Sequence, residues 1–392
     1  MTAGIEQIAL KLVSTNNKIK DVVLTSHRTT MAARILEGKT ATEAADLVAL
    51  LFSLCGTAQQ QAALYAFEEA LGYVLSPAHK AARKLLLMGE GVNEHVTRIL
   101  VDWAELSNMA PLTNEVRNLR QILSYIKHLI FKQGQNDRIG GGILAVKDNT
   151  LLEAIETLTH DIERNIFAMP AAAFYALSSP QELDHWLNTQ DTQPAQTLRN
   201  WQAQGLLDAE WPAPNSLNAQ ASDDLMLAMD DAQAEHFIAR PTWQDQPCQT
   251  GALVRQLSHP LIRQMEQGPY AYFIAKMVDL ADLLTQCKQG VNALAKDATL
   301  YRTKALYKGF GQVEAVRGRL CHRVWIDPEN DTIQRYRILA PTEWNFHHDG
   351  ILKNALVGVE ATDTQKLTQI ARLAVMALDP CVACHIEVEE TA

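Results

Sequence analysis

The chain is 392 residues long, with a net charge of −10 and six cysteines. That length buries a large core, and the acidic balance opposes the counterion release that gives nucleic-acid proteins most of their non-specific affinity, so no nucleic-acid partner is expected. No basic segment followed by an apolar run opens the sequence, the most apolar stretch (residues 47–55) is far too short to span a bilayer, and the cysteines are too sparse for a disulfide framework; the expectation is a soluble cytoplasmic protein with reduced thiols and no membrane partner.

Thr40 and Glu43 form a capping box ahead of Ala44, Leu47, Val48 and Leu51, which are spaced as one helix face. That helix should end near Cys55 and Gly56, and Thr57 with Gln60 reads as a second capping box opening a helix through Ala63, Phe67, Ala70 and Leu71. Cys55 is thereby placed just before a helix N-terminus, which favours a thiolate; the segment alone suits a buried small hydrophobe as well. Ser76 and Pro77 start a long helix whose stripe runs from Ala82 through Leu85, Val92, Val96 and Ile99 to Trp103, and Thr113 caps the next, with Val116, Leu119, Leu123, Ile126 and Ile130 inward.

A glycine cluster, residues 140–142, closes this part. Residues 183–249, rich in Gln, Asn, Asp, Ala and Pro, read as a polar, loop-rich peripheral segment within a single domain spanning 1–392. From Gly309 the pattern turns β-branched and aromatic (Val313, Val324, Trp325, Ile326, Ile333, Tyr336, Ile338), broken by the turn at 327–331, which predicts a β-hairpin. Leu367, Ile370, Ala371, Ala374, Val375 and Leu378 give a last helix stopped by Pro380. The predicted fold class is mainly α with a smaller β part, α+β.

Cys381 and Cys384 follow that stop as a C-x-x-C pair, two thiols able to face one metal ion. On the pair alone, half a zinc site, a redox dithiol and chance all stay open. A zinc site needs two more ligands for which no second pair exists, and a thioredoxin-like motif opens a helix after a strand, whereas this pair follows a helix end.

Asp379, Pro380, Cys381 and Cys384 resemble the D-P-C-x-x-C motif that closes the mature large subunit of [NiFe]-hydrogenases. Ile35 to Lys39 and Leu54 to Ala58 resemble the stretch around that family's first motif, R-x-C-G-x-C. Glu314, Ala315, Arg317, Gly318, Leu320 and His322 resemble its E-A-P-R-G-x-L-x-H segment, and Pro341, Thr342, Trp344 and Asn345 its P-T-x-W-N. The four pieces occur in family order from about residue 30 to the C-terminus. The resemblance implies a large-subunit-like helical body with the β-hairpin near its C-terminus, and it matches Cys55, Cys381 and Cys384 to cysteines that hold nickel and an iron carrying cyanide and carbon monoxide. Ala58 stands where the fourth cysteine belongs, Ser53 replaces an arginine, Val316 a proline and Glu387 a histidine.

With one bridging thiolate missing, the resemblance implies no nickel and no hydrogenase catalysis. It implies transient custody of an Fe(CN)2CO unit by Cys55, Cys381 and Cys384, with Arg317 donating to the cyanides and Asp379 supporting Arg317 or capping the turn. This combination is similar to the HupK/HoxV-type hydrogenase maturation proteins, and it implies a non-enzymatic scaffold that takes iron from a HypC-type carrier and passes it to a hydrogenase large-subunit precursor. The chain ends five residues beyond Glu387, so it is expected to be made in its final form. Two other readings are a divergent redox subunit and a metal-free protein-binding mould. Asp102 resembles an acid near the family site, His385 is a spare ligand beside Cys384, His347 and His348 are expected to be solvated, and Cys248, Cys287 and Cys321 to be packing residues.

Overall fold

A computed structural model describes residues 7–26, 31–52, 55–135, 138–217, 219–294 and 301–391. The chain opens on a hairpin, β1 (Gln7–Thr15) and β2 (Lys18–Ser26), turned by Asn16 and Asn17 at φ 51° and 58°; two consecutive left-handed residues are what a two-residue hairpin turn requires. A helical body follows: α1 (Ala41–Leu51), α2 (Gly56–Leu71), α3 (Pro77–Thr97), α4 (Thr113–Ile130), α5 (Asp148–Ile162), α6 (Pro180–Thr189), α7 (Gln193–Ala203) and α8 (Pro269–Val291). Next come β3 (Lys308–Ala315), β4 (Gly318–Asp327) and β5 (Thr332–Leu339), then α9 (Thr364–Leu378) and β6 (Ala383–Glu390). The expected class, a helical body with a smaller β part, is what forms.

The core is built around α8, whose residues from Ala271 to Ala281 are all buried, as an apolar surface on every side of a helix demands. It packs on α3, where an added Cβ at Gly91 would stand 3.0 Å from Leu283. Trp103, Trp201 and Phe273 lock the far end, with ring centroids 4.9 to 5.8 Å apart; burying an aromatic side chain of this kind contributes about 1.5–3 kcal/mol. Of residues 183–249, the first part adds Leu183, Trp186, Leu198 and Trp201 to this main core, and the later part forms a smaller cluster with Cys248, Cys321 and Trp344.

Two three-stranded sheets flank the body, one ordered β6-β1-β2 and one β3-β4-β5, beside two short two-stranded pairings, 73–74 with 301–302 and 242–243 with 246–247. The expected hairpin is therefore the β4–β5 half of a three-stranded antiparallel sheet. Neither β1–β2 nor β6 is anticipated by the reading above, although the buried alternation Ile8, Leu10, Leu12 is a strand signal. Helix α2 lies directly on β3. Cβ atoms at Gly309 and Gly311 would meet the carbonyls of Ala66 and Ala62 at 1.8 and 2.0 Å, so glycine on the strand and alanine on the helix bring the two backbones together.

Helix boundaries follow local chemistry with two corrections. The capping boxes at Thr40 and the cap at Ser76 form as expected. At α2 the Thr57–Gln60 box does not: Cys55 is the N-cap and makes no side-chain cap, while Glu90 on α3 accepts from Thr57 N (2.6 Å) and Ala58 N (2.9 Å). A carboxylate from a neighbouring helix thus satisfies two of the amides that a local cap would have taken. Thr113 is the first helical residue of α4, not its cap. Among the described residues no helix is long and apolar enough to cross a membrane.

Candidate thiol pocket

Two elements deliver the cysteines. The close seam between α2 and β3 fixes where α2 begins, and hence Cys55, beside the two-residue turn between β3 and β4 that carries Val316 and Arg317. From the other side, α9 ends at Leu378 with Asp379 in the left-handed conformation (φ 56°), a position aspartate tolerates better than most residues, and Pro380 then leads the chain to Cys381. The result is one small pocket lined by Cys55, Gln59, Val316, Arg317, Thr342 and Cys381, with space for about one water-sized guest.

The turn is held from behind. Arg255 donates to the carbonyls of Ala315 (2.9 Å) and Val316 (2.8 Å), and Asn345 donates to that of Arg317 (3.1 Å). Gly318, at φ 125°, sits against Thr250, where a Cβ would collide at 2.2 Å. These contacts fix the turn with valine in place of the family's proline.

Arg317 is 4% exposed, so its charge must be met inside the protein. Nη2 donates to Glu94 (2.8 Å), and Nε stands 3.4 Å from Asp379. Burial works against the guanidinium charge, but Asp379 and Glu94 together hold it above the ordinary arginine value. Neither Nε nor Nη1 has a hydrogen-bond partner among the described residues; Nε is within ion-pair range of Asp379, and Nη1 of this pocket-lining cation is left over. Asp379 also meets Arg98 (2.8 Å) and Lys276 (3.6 Å). Burial opposes its charge too, yet Arg317, Lys276 and Arg98 keep its carboxyl well below the usual carboxylate range. Asp379 thus stands within ion-pair range of Arg317 and is the residue at which α9 ends.

The sulfurs differ in surroundings. Burial pushes the Cys55 thiol up to about 12, with Cys381 and Glu90 adding to the rise and Arg317 and Gln59 opposing it. Of the two readings open for Cys55, a thiolate favoured by the helix N-terminus and a buried small hydrophobe, desolvation and nearby negative charge work against the first. Cys381 shares a short contact with Thr342, Sγ to Oγ1 3.0 Å. Half-buried Glu90, raised to about 7 by desolvation against its two amide donors, is a neighbour that the sequence reading missed, as are Glu94, Gln59 and Lys276.

Cys384 does not join them. It is the second residue of β6, in register with Ile8 of the parallel strand β1. On a strand alternate side chains share a face, and Cys384 points with Ile386 and Val388 toward the main core. Its thiol is raised to about 11 by burial alone. The pocket is lined by two of the three expected sulfurs, Cys55 and Cys381.

Asp102 lies outside the pocket, paired to Arg98, and His385 is exposed on the other face of β6. His347 is buried rather than solvated, its value pushed down to about 4 chiefly by desolvation. Cys248, Cys287 and Cys321 are buried in packed clusters, as expected. Ser53 lies outside the described residues. A larger cavity of about 630 Å³ shares Ala340 and Thr342 with the thiol pocket but holds neither sulfur.

Comparison with known proteins fits this architecture. Residues 261–387 match the family model described as nickel-dependent hydrogenase. The chain is 28% identical to the hydrogenase expression/formation protein HoxV of Cupriavidus necator over 94% of this chain and 93% of that one, and 29% identical to HupV of Azotobacter chroococcum mcd 1 over 91% and 90%. Its fold matches an NAD+-reducing [NiFe]-hydrogenase with TM-score 0.67 at 15% identity, covering 97% of this chain and 96% of that one. It also matches the Ni-Fe-Se hydrogenase of Desulfomicrobium baculatum with TM-score 0.66 at 15% identity, covering 94% and 95%.

The residues present do not fit a dinuclear nickel–iron centre. Ala58, fully buried, offers a methyl group where a bridging thiolate would be needed, Cys384 faces the core, and no group of three or more His, Cys, Asp or Glu among the described residues is arranged to hold a metal.

Proposed function

We propose, from the chain's similarity to the HoxV/HupK-type hydrogenase expression/formation proteins, that it is a maturation scaffold whose cargo is an iron unit held between Cys55 and Cys381. One observation carries the reading: two cysteines from opposite ends of the chain line one pocket with a buried arginine that has a donor to spare. An iron carrying two cyanides and a carbonyl fills three positions with its own ligands; two thiolates add two more, and the position left over suits a ligand from the protein that brings or receives it. The free Nη1 of Arg317 suits a cyanide nitrogen, a strong acceptor bearing negative charge.

The pocket as it stands takes about one water-sized guest, so in this reading its walls must part to admit the iron unit. The upstream partner in this reading is a small HypC-type iron carrier and the downstream partner a hydrogenase large-subunit precursor. The work is placed in the cytoplasm, where thiols stay reduced, and the protein itself performs no turnover.

Anaerobic purification from cells containing the maturation machinery, followed by infrared spectroscopy in the cyanide and carbonyl region, tests this. Bands are expected on the parent protein and lost in Cys55→Ala and in Cys381→Ala. Hydrogenase maturation that proceeds unchanged in both variants, with no bands on the parent, would sink the custody reading and leave a metal-free mould.

A further inference from the structure

Cys55 faces an unusual neighbour. Gln59 is 2% exposed, on the first turn of α2 and four residues after Cys55, hence on the same helix face. Its Nε2 stands 3.8 Å from the Cys55 sulfur, and its Oε1 is 2.8 Å from Nε2 of His322. His322, fully buried on β4, has its Nδ1 2.6 Å from the hydroxyl of Tyr336 on β5. Four side chains from three elements form one line of hydrogen bonds ending on a sulfur.

Such a line has two self-consistent directions, because an amide can turn over and a neutral imidazole can carry its proton on either nitrogen. In one, the Tyr336 hydroxyl donates to Nδ1, His322 Nε2–H donates to Oε1 of Gln59, and the Gln59 amide N–H donates to sulfur. In the other every bond reverses, and Gln59 presents its oxygen to a Cys55 S–H. The far end decides between them. Reversed, the hydroxyl hydrogen of Tyr336 is left without an acceptor, since His322 is its recorded hydrogen-bond partner among the described residues, and a buried donor left unmade costs about 1–3 kcal/mol. The ring of His322 is held neutral by full burial, so the line does not end in a charged imidazolium.

We infer that Gln59 is a positioning residue for Cys55, its amide aimed by His322 and Tyr336 so that an N–H meets the sulfur and fixes how it is presented to the pocket. The array does so without adding a charge to the pocket. Tyr336 acts on the sulfur from two residues away, which separates this role from packing beside the cysteine. Cys381 has a different partner, Thr342, and stands outside the line.

This inference rests on reading Cys55 as a sulfur ligand, but its test does not need the iron unit. The full chain, purified under reducing conditions, is treated with iodoacetamide at one fixed pH, and the alkylation rates of Cys55 and Cys381 are followed separately by peptide mass spectrometry. Gln59→Leu is expected to slow Cys55 about tenfold, the factor that losing one hydrogen bond to a charged group implies, and Tyr336→Phe to slow it in the same direction by less, with Cys381 unchanged in both. Loosening of the fold would raise the rates of both thiols, the opposite sign, so instability of a variant cannot imitate the result. Cobalt(II) supplies a second readout: its affinity for the Gln59→Leu protein is expected to fall by about 10–100-fold, as is usual when a ligand's supporting hydrogen bond is removed. Cys55 rates that stay the same or rise in both variants would overturn the inference; infrared bands absent from the parent protein while Cys55 still slows would overturn the custody reading and leave the array standing.

Discussion

The two sides of the thiol pocket are built on different principles. On the Cys55 side Gln59, His322 and Tyr336 form a line of hydrogen bonds between uncharged groups, beside the Glu90 carboxyl that holds the start of α2. On the Cys381 side the turn between β3 and β4 and the end of α9 are pinned by charge, with Arg317, Glu94, Asp379, Arg98 and Lys276 in one buried network. A hydrogen-bond line can set the state of a sulfur without fixing the backbone strongly. A buried charge network does the reverse, because each of its members is costly to strand. The difference teaches that the pocket separates tuning from anchoring: one wall adjusts the ligand, and the other holds two distant pieces of chain together.

The largest effect should come from breaking the anchor. Arg317→Met leaves Glu94 without the Nη2 donor and removes one of three cations around Asp379. Losing one partner of a buried pair costs about 3–5 kcal/mol, which a urea unfolding series would read directly. A loss below about 1 kcal/mol would show that Arg98 and Lys276 neutralise Asp379 by themselves and that the two walls are less unlike than described.

A smaller effect, visible only with pH, sharpens the neutral side. Burial pushes His322 down to about 3, whereas in the unfolded chain it protonates near 6.5. Between those values the unfolded chain binds a proton that the folded one does not, so this group's contribution makes stability fall as pH falls from 6.5 toward 3, and it is fully present above 6.5. In His322→Gln, which keeps a donor and an acceptor at the site, the urea midpoint should drop less between pH 7 and pH 4 than in the parent. An identical drop would mean that the ring is protonated in the folded protein, which the hydrogen-bond line does not allow.

The smallest effect is expected at Cys384. Partly buried on β6, it should cost about 1 kcal/mol or less as Cys384→Ala, on the scale of a partly exposed substitution, and the infrared bands lost in Cys381→Ala should persist. Loss of the bands in this variant would show that β6 shifts when cargo is bound and that all three sulfurs act together.

Much was legible in advance because it is local. The Thr40 capping box, the Ser76 cap, the stripe of α3 as far as Val96 and the stop at Pro380 each depend on residues within a turn or two of one another and formed as the spacing says, while Ile99 falls in a π-helical turn, Arg98–Asp102, and Trp103 beyond it. The Glu90 cap of α2 was not legible, because a side chain on the next helix supplies it. The Gln59 line escaped for the same reason: glutamine carries no motif, and its partners lie on two strands far along the chain.

The sequence by itself determined where the thiols stand along the chain, the order of the helices, and the absence of a fourth thiol at Ala58. Only the tertiary structure decided which sulfurs meet. A C-x-x-C spacing keeps two thiols near each other but does not make them face the same way. The parallel pairing of β6 with β1 sets the face of Cys384 through the two-residue period of a strand, and the close approach of α2 to β3 brings Cys55 to Cys381.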